Sequence, residues 1–296
     1  MRVGPRNPPS RAASFAVVGG AYVVAVGSGI VAGGLADDAH PLWVAAVGMV
    51  TGALVLFIGS RAANNTSMFD AYWSVAPPVV ALYFLAVAEP GVPGVRQGLV
   101  VALVFAWALR LTVNWARNWP GLQHEDWRYT AMRTNGHPYW PQSLFGLHLF
   151  PTLQVWLGCL ALYPALSVGT GAVGALDALA VLVTAGAITI EAVADEQLRA
   201  FNRTKVSGDI CAVGLWSWSR HPNYLGEQLF WWGLWLFGLS ADPGWWWTVV
   251  GPVAMTVMFA TASIPMLERR SAERRPGWED YCRRTSVLVP RPPRPA

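Results

Sequence analysis

Charge is what this sequence has least of. Only 13% of its 296 residues are Asp, Glu, Lys or Arg, against about a quarter in a soluble globular chain. Cysteine is scarce too. Cys159, Cys211 and Cys282 show neither CxxC nor zinc spacing, so neither a disulfide framework nor a cysteine metal site is expected. No glycine-rich fingerprint joins a strand to a helix, which speaks against Rossmann and P-loop nucleotide sites. HExxH, paired histidines at ligand spacing and the G-x-S-x-G elbow are missing as well, and no metal is expected. There is no internal repeat and no nucleic-acid module.

What is there is apolar. Hydrophobic residues make up 54% of the chain, with seventeen tryptophans and 29 glycines. That mixture fits a polytopic membrane protein, in which aromatics gather at interfaces and glycine lets helices approach closely. Eight apolar runs follow one another: 14–35, 42–58, 73–88, 95–113, 144–167, 172–193, 224–239 and 245–264. The first has membrane length, longer than the core of a signal peptide. The third and seventh are short, so the expectation is seven or eight spans. The predicted fold is an all-α membrane helix bundle: one transmembrane domain over 14–289, with disordered tails at 1–13 and 290–296. Pro77-Pro78, Pro151, Pro164 and Pro252 read as interruptions within the spans.

Cations alternate between loops. They gather before the first run (Arg2, Arg6, Arg11), after the second (Arg61), the fourth (Arg117, Arg128, Arg133) and the sixth (Arg199, Arg203, Lys205, Arg220), and in the C-terminal tail. The opposite loops hold Asp37, Asp38, Glu89 and Asp242, with Arg96 as their one cation. By the positive-inside rule both ends are expected in the cytoplasm.

The polar residues collect at the cytoplasmic ends of the runs. Asn64 to Tyr72 is one cluster, which reads equally as a helix-capping turn around Asn65, Ser67 and Asp70. Arg110, Asn114 and His124 to Tyr129 form a second, in which Arg110 has the alternative of snorkelling to headgroups. Glu191, Asp195, Arg199 and Arg203 recur every four residues and share one helical face, as a site or as a salt-bridge ladder. The fourth is Ser219-Arg220-His221-Pro222-Asn223-Tyr224-Leu225-Gly226-Glu227, with Glu268-Arg269-Arg270 from the tail. Trp231, Trp232, Trp235 and Trp245 to Trp247 read as lipid-facing or packing aromatics. Polar residues at one face, and not at the midplane, favour an enzyme over a transporter, with a soluble cofactor and a lipid-like substrate.

The Ser219–Glu227 motif resembles the signature of the bacterial DUF1295 family, which is related to the C-terminal domain of steroid 5-alpha-reductases. More distantly it resembles the sterol C14-reductases and isoprenylcysteine methyltransferases. Asn64-x-Thr-x-x-x-Asp70, Glu125-Asp126-Trp127-Arg128-Tyr129, Asp195-Glu196-Gln197-Leu198 and Ile264 to Arg269 look like further family blocks. The resemblance implies NADPH bound at the cytoplasmic ends of the C-terminal helices, over about 172–289. Asn223 and Glu227 match an asparagine-x-x-glycine-glutamate element that lies at the cofactor. Asp195 and Arg199 match a pair suited to the adenosine ribose and phosphates. Glu191 stands where the steroid enzymes carry asparagine, and Glu268-Arg269-Arg270 stands in place of their C-terminal histidine-rich run. Their substrate-carbonyl glutamate and tyrosine find no counterpart here, so steroid specificity does not carry over.

The expected activity is NADPH-dependent reduction of a C=C bond conjugated to a carbonyl in a hydrophobic, steroid-like or lipid substrate. Such a reaction needs an acid, and the candidates are Tyr129, Tyr72, Glu227 and Tyr224, with Asp70 behind them. Arg199, Arg203, Arg220, Arg269 and Arg270 are the candidate cations for the cofactor phosphates, with Asp195, Ser219, His221, Asn223, Tyr224 and Glu268 around them. The alternatives are an S-adenosylmethionine-dependent membrane methyltransferase and a non-catalytic lipid or sterol binder. The expected partners are a hydrophobic small molecule and membrane lipids, without nucleic acid.

Overall fold

The structure, a computed structural model, describes residues 9–294. Among these residues every regular element is helical, and the one sheet-type pairing is a bridge between Ser219 and Ser286. Helix α1 (Arg11–Gly34) opens on Ser10, whose hydroxyl accepts the Ala13 N–H at 3.2 Å. The tail expected over 1–13 thus ends inside a helix at Arg11, and its first eight residues lie outside the described ones. Helix α2 (Pro41–Ala63) starts with the Leu42 N–H donating to His40 Nδ1. It ends on Asn64, whose left-handed backbone (φ 50°) is a conformation asparagine tolerates. A 3-10 turn (Thr66–Phe69) leads into α3 (Tyr72–Ala86).

Next come α4 (Gly94–Asn118), α5 (Trp127–Arg133), α6 (Tyr139–Gln142), a π turn (Ser143–Leu149), α7 (Phe150–Cys159) and a second π turn (Pro164–Val168). The last part holds α8 (Ala175–Thr204), α9 (Pro222–Ala241), a 3-10 segment (Pro243–Val249), α10 (Val250–Met258), a third π turn (Phe259–Ser263), α11 (Ile264–Arg274) and α12 (Trp278–Arg284). The prolines stop none of these. Pro77 and Pro78 both sit inside α3, where membrane helices re-satisfy the freed carbonyls locally.

The chain forms two compact units. The first comprises residues up to Ala88 with Trp107–Cys159, and the second Glu89–Ala106 with residues from Leu160 on. In the first, α1 and α2 touch backbone to backbone. A methyl group on Gly29 would stand 2.6 Å from the Gly48 carbonyl oxygen, the small-residue contact by which membrane helices pack.

In the second, α8 and α9 pack the same way. A methyl on Gly226 would meet the Glu191 side chain at 2.4 Å, and one on Gly233 would meet Thr184 Oγ1 at 2.1 Å. One fully buried charged pair of this unit is Arg96 with Asp177. Arg96 Nε and its terminal nitrogen donate to the two Asp177 oxygens at 2.7 and 3.0 Å, and the guanidinium also bonds the Gly171 and Ala172 carbonyls. Ser240 and the Gly174 N–H complete the carboxylate. The lone cation of its loop set is therefore fully buried and paired.

Among the described residues seven helical stretches are long and apolar enough to cross a membrane, and they correspond to the first six runs and the eighth. The seventh run is α9. Its 20 residues span roughly 30 Å, but Asn223, Glu227, Gln228 and its tryptophans make it too polar to be counted with the others. Its surroundings explain the composition: Gly226, Glu227, Phe230, Trp231, Leu234 and Phe237 are all buried within the second unit. After Pro290 the expected disordered tail is stitched down. The Arg291 N–H donates to Trp218 O and the Arg294 N–H to Arg284 O, each at 3.1 Å; positions 295–296 lie outside the described residues.

Candidate functional site

The first unit gathers its polar residues around the Thr66–Phe69 turn. Glu125 receives the Thr66 N–H at 2.8 Å and a two-point grip from Arg133, at 2.6 and 3.0 Å. Arg133 also holds the side chain and carbonyl of Asn64, and its guanidinium lies 3.8 Å from the Tyr139 ring centre. Ser67 accepts the Asp126 N–H, and Asp126 in turn caps α5 through the Arg128 N–H. So Ser67 serves α5 and not α3, and the capping-turn reading fails there: α3 begins at Ala71 with no side-chain cap.

At the end of this turn the Tyr129 hydroxyl donates a hydrogen bond to Asp70 Oδ1. Tyr129 is only 7% exposed. Burial first, and the Asp70 carboxylate second, push its ionisation well above the ordinary phenol range. It is a phenol held in its protonated form with an acceptor already in line.

Sequence reasoning missed the continuation of this network. Thr66 Oγ1 lies 2.6 Å from Tyr139 OH and 3.2 Å from Ser143 Oγ. The Ser143 carbonyl bonds His148 Nδ1 at 2.8 Å, and His148 Nε2 reaches Ser60 Oγ at 3.2 Å. Ser60, Ser143 and His148 are all buried. The one signal for them was a histidine inside an apolar run.

Tyr72 is placed differently from Tyr129. It donates to the Met49 carbonyl at 2.6 Å and is buried. It forms part of the wall of an apolar cavity of about 420 Å³ between α1, α2 and α3. Its proton is committed to backbone, so it is a weaker acid candidate than Tyr129.

In the second unit the motif is largely an internal clasp. Arg220 Nε and one terminal nitrogen grip the two Glu268 oxygens at 2.7 and 3.0 Å, and the other terminal nitrogen donates to the Cys282 and Thr285 carbonyls. His221 Nε2 lies 3.1 Å from the same Glu268 and its ring stacks on Tyr224. Ser219 is buried, its hydroxyl accepting the His221 N–H. Arg220 was expected to face a phosphate, but all three of its guanidinium nitrogens are engaged within the protein. Glu268, expected among the cofactor contacts, is the carboxylate that engages them. Glu227 is buried too, accepting the Trp231 indole N–H at 3.0 Å.

The α8 face runs from inside to outside. Glu191 is buried, Asp195 and Arg199 are half-buried, and Arg203 is exposed. Arg199 lies 3.7 Å from Glu196. Asn223 is half-buried in the first turn of α9; in α11 Arg269 is exposed and Arg270 half-buried. Among the described residues no group of His, Cys, Asp and Glu has the makings of a metal site.

These features define an all-helical polytopic protein with, among the described residues, seven membrane-length apolar stretches and a polar network in each unit. Residues 56–285 match the family described as "Protein of unknown function (DUF1295)", and the chain belongs to that family. It is also similar to an uncharacterized protein of Schizosaccharomyces pombe, 30% identical over 255 residues, covering 77% of this chain and 73% of the relative. No solved structure matches it.

Proposed function

We propose that this protein is an integral-membrane reductase that uses NADPH to saturate a C=C bond conjugated to a carbonyl in a hydrophobic substrate. The observation that carries the reading is the hydrogen bond from the buried Tyr129 to the half-buried Asp70. Reduction of an enone requires a proton donor at the substrate, whereas methyl transfer to a nucleophile does not.

The residues of the second unit suit a phosphate-bearing cofactor in part. Arg199, Arg203, Arg269 and Arg270 would take its phosphates and Asp195 its ribose hydroxyls. Arg220, whose guanidinium grips Glu268, is left out of this assignment. Bound there, the nicotinamide would supply the hydride. Within the first unit Tyr129 would serve as the acid, its O–H turning from Asp70 to the substrate to do so. The apolar walls of the bundle would hold the rest of the substrate.

The test is a titration of the detergent-purified protein with NADPH, NADH and S-adenosylmethionine by calorimetry. NADPH binding is expected, weakened at least tenfold, about 1.4 kcal/mol, by Arg203→Ala together with Arg269→Ala. Binding of S-adenosylmethionine alone, or of no nucleotide at all, overturns the reading.

A further inference from the structure

Trp218, Val287 and Val289 are exposed apolar side chains on two segments that are pinned together. Ser286 is bridged to Ser219, its hydroxyl donates to the Trp218 carbonyl at 2.9 Å, and the Arg291 N–H donates to the same carbonyl at 3.1 Å. The Arg294 N–H donates to the Arg284 carbonyl at 3.1 Å. These bonds gather the indole and the two valines at one place on the second unit, together with the exposed Arg284, Arg291 and Arg294. Arg284 spends its Nε on the Asp280 carbonyl, and the Asp280 carboxylate is taken by Arg283. Neither 212–224 nor 284–294 contains an acidic residue. The surface is apolar and cationic at once.

Its level follows from Arg220. From Pro243 to Leu267 the chain carries no charged residue, and Glu268 is the first. Arg220 grips Glu268, so it stands where a membrane-length apolar stretch turns polar. Trp218 is two residues earlier, within roughly 7 Å along the chain. Thr285, whose carbonyl Arg220 also holds, directly precedes Ser286. Tryptophan favours the boundary between membrane and water, and cations there are drawn to anionic lipid.

We propose that this surface docks on the headgroup layer of anionic phospholipids in the bilayer around the protein. Trp218, Val287 and Val289 enter the boundary between headgroups and acyl chains, and the three arginines take lipid phosphates through charge-assisted hydrogen bonds. A choline headgroup sets its own cation in front of the phosphate, which the arginines repel. A second copy of the same surface would set arginine against arginine, so charge disfavours it as the cover. The inference concerns lipid binding and is independent of the reductase reading.

The experiment uses the full-length protein in nanodiscs of phosphatidylcholine with a minor share of phosphatidylglycerol. Benzoylphenylalanine replaces Val289, which is 59% exposed, and its photo-adducts are read by mass spectrometry. Lipid adducts are expected, with phosphatidylglycerol over-represented about fivefold against its share of the lipid. Arg284→Gln, Arg291→Gln and Arg294→Gln together should return it to that share. Should the triple variant fold poorly, salt raised to about 1 M on the parent protein must do the same, since it cuts the Debye length to about 3 Å. Glycerol phosphate in solution should not compete, which separates a lipid headgroup from a free phosphate. Absence of lipid adducts, adducts joining two copies of the chain, lipid adducts in simple proportion to composition, or competition by glycerol phosphate overturns the proposal.

Discussion

Arg96 and Asp177 lie 81 positions apart, yet they join through two parallel hydrogen bonds, with side chains 0% and 2% exposed. The pair also bonds the 171–172 carbonyls and Ser240. It thereby fastens the start of α4, the start of α8 and the end of α9 to one another within the second unit.

Removing one partner leaves the other as a buried, uncompensated charge. Arg96→Met alone or Asp177→Leu alone should each cost about 3–5 kcal/mol, read as a lower thermal midpoint in detergent. The double variant should recover much of that loss, because apolar side chains of similar bulk leave no orphaned charge. A double variant as damaged as the sum of the singles would mean that the bonds to the carbonyls, and not the ion pair, hold the site.

Gly226 belongs to the polar motif but acts by its size. A β-carbon there meets Glu191 at 2.4 Å and the Ala187 carbonyl at 2.8 Å. Gly226→Ala should therefore destabilise by about 1–3 kcal/mol. Gly19→Ala, at a position with nothing within 4 Å of the added carbon, should be neutral or slightly stabilising. Equal midpoints for the two variants would refute the α8–α9 contact.

Arg220→Lys keeps the charge but loses the two-point geometry on Glu268 and the reach to the Cys282 and Thr285 carbonyls. Each charged hydrogen bond lost is worth about 1.5–3 kcal/mol. The expected result is a lower midpoint, with nucleotide affinity per folded molecule unchanged. Arg203→Ala should show the reverse, since its side chain is exposed.

Tyr129 predicts an alkaline effect. Its folded-state ionisation lies well above the ordinary phenol value of about 10. Below that value the phenol is neutral in both states and the folded form keeps its full advantage. Above it the unfolded chain releases the proton first, so stability falls as pH rises towards the folded value, by up to about 1.36 kcal/mol per pH unit. Tyr129→Phe should flatten the dependence of the thermal midpoint between pH 10 and 11 by one proton's worth. An unchanged slope would place the phenol in a solvent-like setting.

Much of the helical plan was legible because hydrophobic runs announce themselves: seven of the eight predicted runs coincide with membrane-length apolar stretches. α9 departs from them because its environment is protein, which admits Glu227 and a row of tryptophans that lipid would not. The common face of Glu191, Asp195, Arg199 and Arg203 was readable, since helical spacing alone fixes it. Partners were not. Thr66 and Tyr139 are 73 positions apart, and Ser60 and His148 are 88. Nor does an arginine in a polar motif reveal whether it faces a phosphate or a glutamate; Arg220 met Glu268, 48 residues later. Asp177 passed unnoticed inside an apolar run until the structure set it against Arg96.

The Arg220 clasp also sets an order of events during synthesis. Its carboxylate and both of its carbonyl partners lie 48 to 65 residues further along the chain. At about 5–20 residues per second, the ribosome delivers Thr285 roughly 3–13 s after Arg220. For those seconds the guanidinium must stay hydrated at the surface, and α9 cannot settle into its final seat. A chain that stops short of α12 leaves that guanidinium without its two carbonyl partners.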